Sequence, residues 1–269
     1  VHPERKVLVA GNWKMHHTHL EAIRLVQTLG FALERMDLRH VEVSAHPPFT
    51  SIRSVQTVVD GDDLPISLGA QTCHFEDLGA FTGEVSPVML AKLGVRYVIT
   101  GHSERRAMCG ETDEIVQAKL KAVYRNHMVP VLCVGESGAE RARGLTEERL
   151  SEQLGSALAV LNAEQIASLV VAYEPIWAIG TGENASLKDA EEAASFIRSV
   201  VAGNAGAAAA GSVRVLYGGS ATDENAAELL GGDDVDGLLV GGASLDPDRF
   251  ARIVERAVEA VKERGSASS

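Results

Sequence analysis

The sequence predicts an α/β protein folded as a single closed (β/α)8 barrel. Three observations carry that expectation. Eight short apolar runs alternate with longer helix-patterned segments along 269 residues. No Pro/Ser-rich linker divides them. The chemistry-bearing polar residues cluster directly after the apolar runs. Eight strand–helix units in roughly 250 residues suit this architecture. Periodicity alone fits an open eight-stranded sheet equally well; the one-sided placement of the polar residues favours the barrel.

The predicted strands lie near residues 7–11, 41–45, 66–70, 95–100, 129–134, 169–173, 213–217 and 236–240. Each is short, apolar and followed by polar or glycine-rich sequence, as in strands buried on both faces. Between them, Thr18-His19-Leu20-Glu21 reads as a capping box. Ser86-Pro87 starts another helix that ends near Gly94, and Ser186-Leu187-Lys188-Asp189 starts a third. The low-complexity stretch from Gly203 to Ser212 reads as a connector from a helix to the next strand. The domain is expected to span 1–269, with 265–269 as an unstructured tail.

Composition narrows the function. A 45% hydrophobic chain can bury a substantial core, and a formal charge of −12 argues against general binding to nucleic acid or an anionic membrane. Cys73, Cys109 and Cys133 are odd in number and widely spaced, so they read as buried thiols in a reducing compartment. No apolar run approaches the roughly 18 residues of a membrane span, and Val1 to Lys6 has no signal-peptide core. A cytoplasmic location is expected.

The strand ends carry the candidate chemistry. Asn12 and Lys14 follow the first strand, Gly101-His102-Ser103-Glu104 the fourth, and Glu174 ends the sixth. Gly218-Gly219-Ser220 follows the seventh and Gly241-Gly242 the eighth. In a barrel these points converge on the C-terminal face, where active sites of this fold lie. The last two clusters read as an anion cradle, since glycine backbones approach a ligand closely. Taken singly, Gly-Gly pairs also read as turns, Lys14 as a surface lysine, His102 as a structural histidine and Glu174 as a salt-bridge partner. Together, a carboxylate and an imidazole facing one ligand form the minimal set for moving protons on carbon. His16-His17-Thr18-His19 lacks the Cys or carboxylate neighbours of a metal site and reads as a solvated helix start. Glu104-Arg105-Arg106 reads as charge pairing as readily as phosphate recognition.

Six ordered stretches resemble the triosephosphate isomerase family. They are residues 11–15 (GNWKM), 79–84 (GAFTGE), 101–106 (GHSERR), 172–182 (AYEPIWAIGTG), 217–220 (YGGS) and 239–245 (LVGGASL). The resemblance covers nearly the whole chain and implies a TIM barrel that interconverts dihydroxyacetone phosphate and D-glyceraldehyde 3-phosphate without a metal or organic cofactor. It implies Glu174 as the base, His102 as the neutral electrophile and Lys14 as the electrostatic stabiliser beside Asn12. Ser220, Gly241, Gly242 and the backbone of Gly180 would hold the phosphate, with Ser103 and Glu104 supporting. Pro175, Ile176, Trp177, Ala178, Ile179, Gly180 and Thr181 would form the lid. Phe81, Thr82 and Gly83 would insert into a partner subunit, giving a homodimer. A helix starting just beyond His102, with Ser103 helping to begin it, would lower the histidine pKa. Thr72 and His16 stand where the family commonly has Asn, and residues 221–225 vary. Cys133 matches a family cysteine read as packing.

Two other readings are open to the residues alone. A different phosphate-binding barrel enzyme, such as an aldolase, would need a Schiff-base lysine inside the barrel. A non-catalytic scaffold protein would be expected to have lost the base or the lid, and neither is missing here.

Overall fold

The computed structural model describes residues 5–179 and 185–267, with the backbone alone for 264–267. Eight parallel strands close into a barrel in sequence order. They are β1 (Val7–Asn12), β2 (Val41–His46), β3 (Ser67–Ala70), β4 (Tyr97–Thr100), β5 (Val129–Val134), β6 (Val170–Tyr173), β7 (Arg214–Tyr217) and β8 (Gly237–Val240). Closure is made by β1, which pairs with β2 (Val9 opposite Val43) and with β8 (Val9 opposite Leu238). Gly237 permits that last seam, because a Cβ there would lie 2.0 Å from the Leu8 carbonyl oxygen. The expected strands agree with these to within two residues.

Alternation along the strands sorts the core into two layers. Leu8, Ala10, Ile99, Val131, Ala172 and Leu216 fill the barrel interior. Their neighbours, such as Val7, Val9, Val43 and Val171, pack outward against the helices. At the N-terminal end of the barrel, Arg214 donates to Glu42 at 3.1 Å and to the Tyr97 hydroxyl at 2.8 Å, and Tyr97 donates to Glu42 at 2.8 Å. That closed polar plug leaves the opposite end available for chemistry.

The helix signals hold locally. Thr18 and Glu21 form the capping box of helix His19–Leu33. Ser86 caps helix Pro87–Lys92, whose first residue is the proline, and Ser186 and Asp189 form a second box. Three expectations are corrected. The Gly203–Ser212 stretch is helical, as part of Leu187–Ser212, with a break only at Gly206 (φ 86°, ψ 166°). Alanine favours helix strongly enough to outweigh the flanking glycines. Cys73 and Cys133 are buried, but Cys109 is exposed at the end of helix Ser103–Cys109. The last helix runs from Pro247 to Ala267 and so enters the expected tail; 268–269 lie outside the described residues. Among the described residues, no helix is long and apolar enough to cross a membrane.

Candidate active site

A cavity of about 310 Å³ opens at the C-terminal end of the strands, and Asn12, Lys14, His102, Glu174, Ser220 and Gly241 all line it. Gly242 and Ile179 lie on the same wall. The residues expected to be catalytic and the described ones expected to hold phosphate, drawn from five strand ends, are thus brought to one opening, whereas Ser103, Glu104 and Phe81 do not line it. Gly180 and Thr181 lie outside the described residues.

Glu174 reaches the cavity through close backbone packing. Its N–H donates to the Val134 carbonyl at 2.8 Å. Gly135 makes that approach possible, since a Cβ on Gly135 would stand 1.8 Å from the Glu174 carbonyl oxygen. The carboxylate is 2% exposed. One oxygen accepts the Ser103 backbone N–H at 2.9 Å, and the other lies 3.3 Å from the Ser103 hydroxyl and 2.9 Å from His102 Nε2. Cys133 lies in the interior layer below, fully buried, and burial together with the Glu174 carboxylate pushes its thiol pKa well up. A thiol so placed stays protonated and packs.

His102 is itself the N-cap of helix Ser103–Cys109, which begins at Ser103 as expected. Its Nδ1 accepts the Glu104 N–H at 3.2 Å, which leaves the Nε2 proton to face Glu174 and the cavity. The expected lowering of its pKa is not met in this arrangement. Burial presses the value down, but the Glu174 carboxylate, joined by Glu104, presses it up further, so the net direction is upward. The helix still opposes a second proton, because a protonated Nδ1 could not accept from Glu104.

Lys14 adopts the left-handed conformation (φ 52°), a costly one for a side-chain-bearing residue. Both its backbone groups are clamped. Asn12 Oδ1 accepts the Lys14 N–H at 3.1 Å, and Gln71 donates to the Lys14 carbonyl at 2.7 Å and to that of His46 at 2.9 Å. The Lys14 ammonium donates to Glu104 at 2.5 Å. Arg105 and Arg106 are taken up by internal pairing, with Glu111 and Asp113 respectively. Thr72 accepts from Lys119 at 2.8 Å, inside the same buried Glu111 network.

The stem of the segment expected to form a lid follows Glu174 directly. Residues Ile176–Ala178 form a 3-10 turn, with Ala178 fully buried. Glu136, which sequence reasoning missed, anchors this stem. Its buried carboxylate accepts from Trp177 Nε1 at 2.8 Å and from the Tyr173 hydroxyl at 3.0 Å, and its carbonyl accepts the Ile176 N–H at 3.1 Å. Arg141 stacks on the Trp177 ring at 4.2 Å and reaches Asp189 at 2.6 Å. The signal was available: Glu136 follows β5 as the other candidates follow their strands. Away from the cavity, Phe81 is half-exposed, its ring tilted against that of His74 at 4.1 Å, and shares a shallow hollow with exposed Leu78 and Met89.

A family model described as "Triosephosphate isomerase" matches residues 7–257. The curated protein named triosephosphate isomerase from Saccharopolyspora erythraea is 52% identical over 249 residues, 93% of this chain and 95% of its own. That of Streptomyces coelicolor is 52% identical over 250 residues, covering 93% and 97%. That of Corynebacterium glutamicum is 49% identical over 253 residues, covering 94% and 98%.

Proposed function

The chain belongs to the triosephosphate isomerase family, and from that membership we propose that it interconverts dihydroxyacetone phosphate and D-glyceraldehyde 3-phosphate. The observation that carries the mechanism is one cavity lined by a buried carboxylate, an Nε2-protonated imidazole and an ammonium. In this reading Glu174 takes a proton from the carbon beside the carbonyl. The His102 Nε2 proton and the Lys14 ammonium stabilise the oxyanion that forms, where preorganised donors act most strongly. His102 then carries protons between the two enediolate oxygens. No cofactor is required, because each step uses a side chain or a backbone amide.

Glu174 rests on Ser103 and His102, so a substrate must draw it off before it can act as a base. Its departure also removes the main cause that raises the His102 pKa. Burial and the Glu104 N–H remain and favour the neutral imidazole the reaction needs, against the smaller upward pull of the Glu104 carboxylate. Lid and base are joined through Pro175. Closing the segment 175–181 over the phosphate would therefore exclude water from the enediolate and shift Glu174 in one motion. Ser220, Gly241, Gly242 and Gly180 would receive the phosphate through backbone amides and the serine hydroxyl.

The same reading assigns a homodimer formed through Phe81, Thr82 and Gly83, supported by the exposure of Met15, Leu78 and Met89. It assigns a cytoplasmic role in glycolysis and gluconeogenesis. A coupled assay supplied with D-glyceraldehyde 3-phosphate tests it. Rapid conversion is expected; a folded protein that leaves the substrate unconverted would overturn it.

A further inference from the structure

Arg249 also lines the cavity, together with Ser220 and Gly242. Its position needs explaining. It lies in the first turn of helix Pro247–Ala267, where the helix dipole disfavours a cation. Capping is done by Asp246, whose Oδ1 accepts the N–H groups of Asp248 and Arg249 at 3.0 and 2.9 Å. Among the described residues, the Arg249 guanidinium has only a distant carboxylate, Asp223, at 3.7 Å. Asp223 is already held by Arg252 at 2.7 Å. One carboxylate therefore serves two guanidiniums, and Arg249 is the less engaged. Lys14, the other cation on the cavity wall, is bound to Glu104 at 2.5 Å.

We propose that Arg249 is a specificity-determining residue that captures the phosphate end of the substrate at the rim of the glycine cradle. The inference rests on the reading of this cavity as a triose phosphate site. A guanidinium fork matches phosphate geometry, and a cation at the mouth of a cavity concentrates anions locally even on a chain of net charge −12. Arg249 follows β8, whereas Glu174 and His102 follow β6 and β4. It acts on binding and not on proton transfer, so it separates KM from kcat.

The test compares the full chain with its Arg249→Gln and Arg249→Lys variants. Three quantities are read: kinetics with D-glyceraldehyde 3-phosphate, inhibition by inorganic phosphate, and turnover of unphosphorylated glyceraldehyde. In Arg249→Gln, KM and the phosphate inhibition constant should rise together by about three- to fivefold, the scale of a partly exposed charge interaction. Turnover number and glyceraldehyde conversion should stay unchanged, and Arg249→Lys should recover part of the loss. Unchanged KM and phosphate inhibition would overturn the proposal, as would an equal loss with glyceraldehyde. If the wild-type chain converts no triose phosphate, the reading of the cavity fails by itself. Calorimetric titration with inorganic phosphate then still decides Arg249: weaker binding by Arg249→Gln supports its role, and equal binding overturns it.

Discussion

Glu174 and Ser103 are joined by a hydrogen bond of 2.9 Å, from the serine backbone N–H to a carboxylate oxygen, across 71 residues of sequence. It ties the buried carboxylate to the first turn of helix Ser103–Cys109. The proposed reaction makes this carboxylate the base. Glu174→Gln keeps the shape and an acceptor oxygen but removes the proton-accepting function. We expect kcat to fall by at least about 10²–10⁴, with an unchanged circular dichroism spectrum. Near-normal turnover in a folded variant would remove Glu174 from the role.

The position of that base depends on a glycine in the neighbouring loop. A Cβ at Gly135 would meet the Glu174 carbonyl oxygen at 1.8 Å, a backbone atom that cannot rotate aside. Gly135→Ala should therefore displace the β6 terminus. The expected result is destabilisation of about 1–3 kcal/mol in urea unfolding and a marked loss of kcat in the protein that still folds. A variant with wild-type stability and turnover would contradict the packing described.

Acid stability should carry the signature of His46. This histidine is fully buried, with Nδ1 donating to the Ala70 carbonyl at 3.2 Å and Nε2 accepting from Ser44 at 3.1 Å. Burial pushes its pKa from 6.5 down to about 4. As the pH falls, the unfolded chain takes up this proton first. The contribution is therefore complete above about pH 6.5 and is lost progressively towards pH 4, by at most about 3 kcal/mol. Urea unfolding at a series of pH values should show His46→Leu with a flatter acid limb than the wild type. Parallel limbs would show that His46 does not couple to folding.

Assembly makes a separate prediction. Met15 is 93% exposed and Leu78 is 78% exposed, an unusual display for large apolar side chains. Sedimentation should find a dimer, and Phe81→Glu should yield monomer with most activity lost. A fully active monomer would refute the link between assembly and catalysis.

The barrel was legible because buried parallel strands leave short apolar runs, and because functional groups gather where those runs end. Asn12, His102 and Glu174, each singled out that way, line one cavity. What escaped was pairing, which depends on closure of the barrel. Nothing near Gln71 indicates that its amide would bridge the carbonyls of Lys14 and His46. Nothing near Arg249 indicates that Arg252 would take the shared aspartate. The pKa direction at His102 was misjudged for a similar reason. The helix N-terminus is local and visible in sequence, whereas the opposing Glu174 lies 72 positions away. Glu136 obeyed the strand-end rule and was passed over because a single carboxylate after β5 suggested no chemistry by itself.

The central claim is that Glu174 removes a carbon-bound proton to give an enediolate that exchanges with solvent. Turnover in D2O, followed by NMR of the product, measures this directly. The account predicts that the wild-type chain places solvent deuterium on the carbon beside the carbonyl, and that Glu174→Gln does so at a rate lower by at least about 10². Product formed at full rate without deuterium at that carbon, or with undiminished labelling in Glu174→Gln, would contradict it.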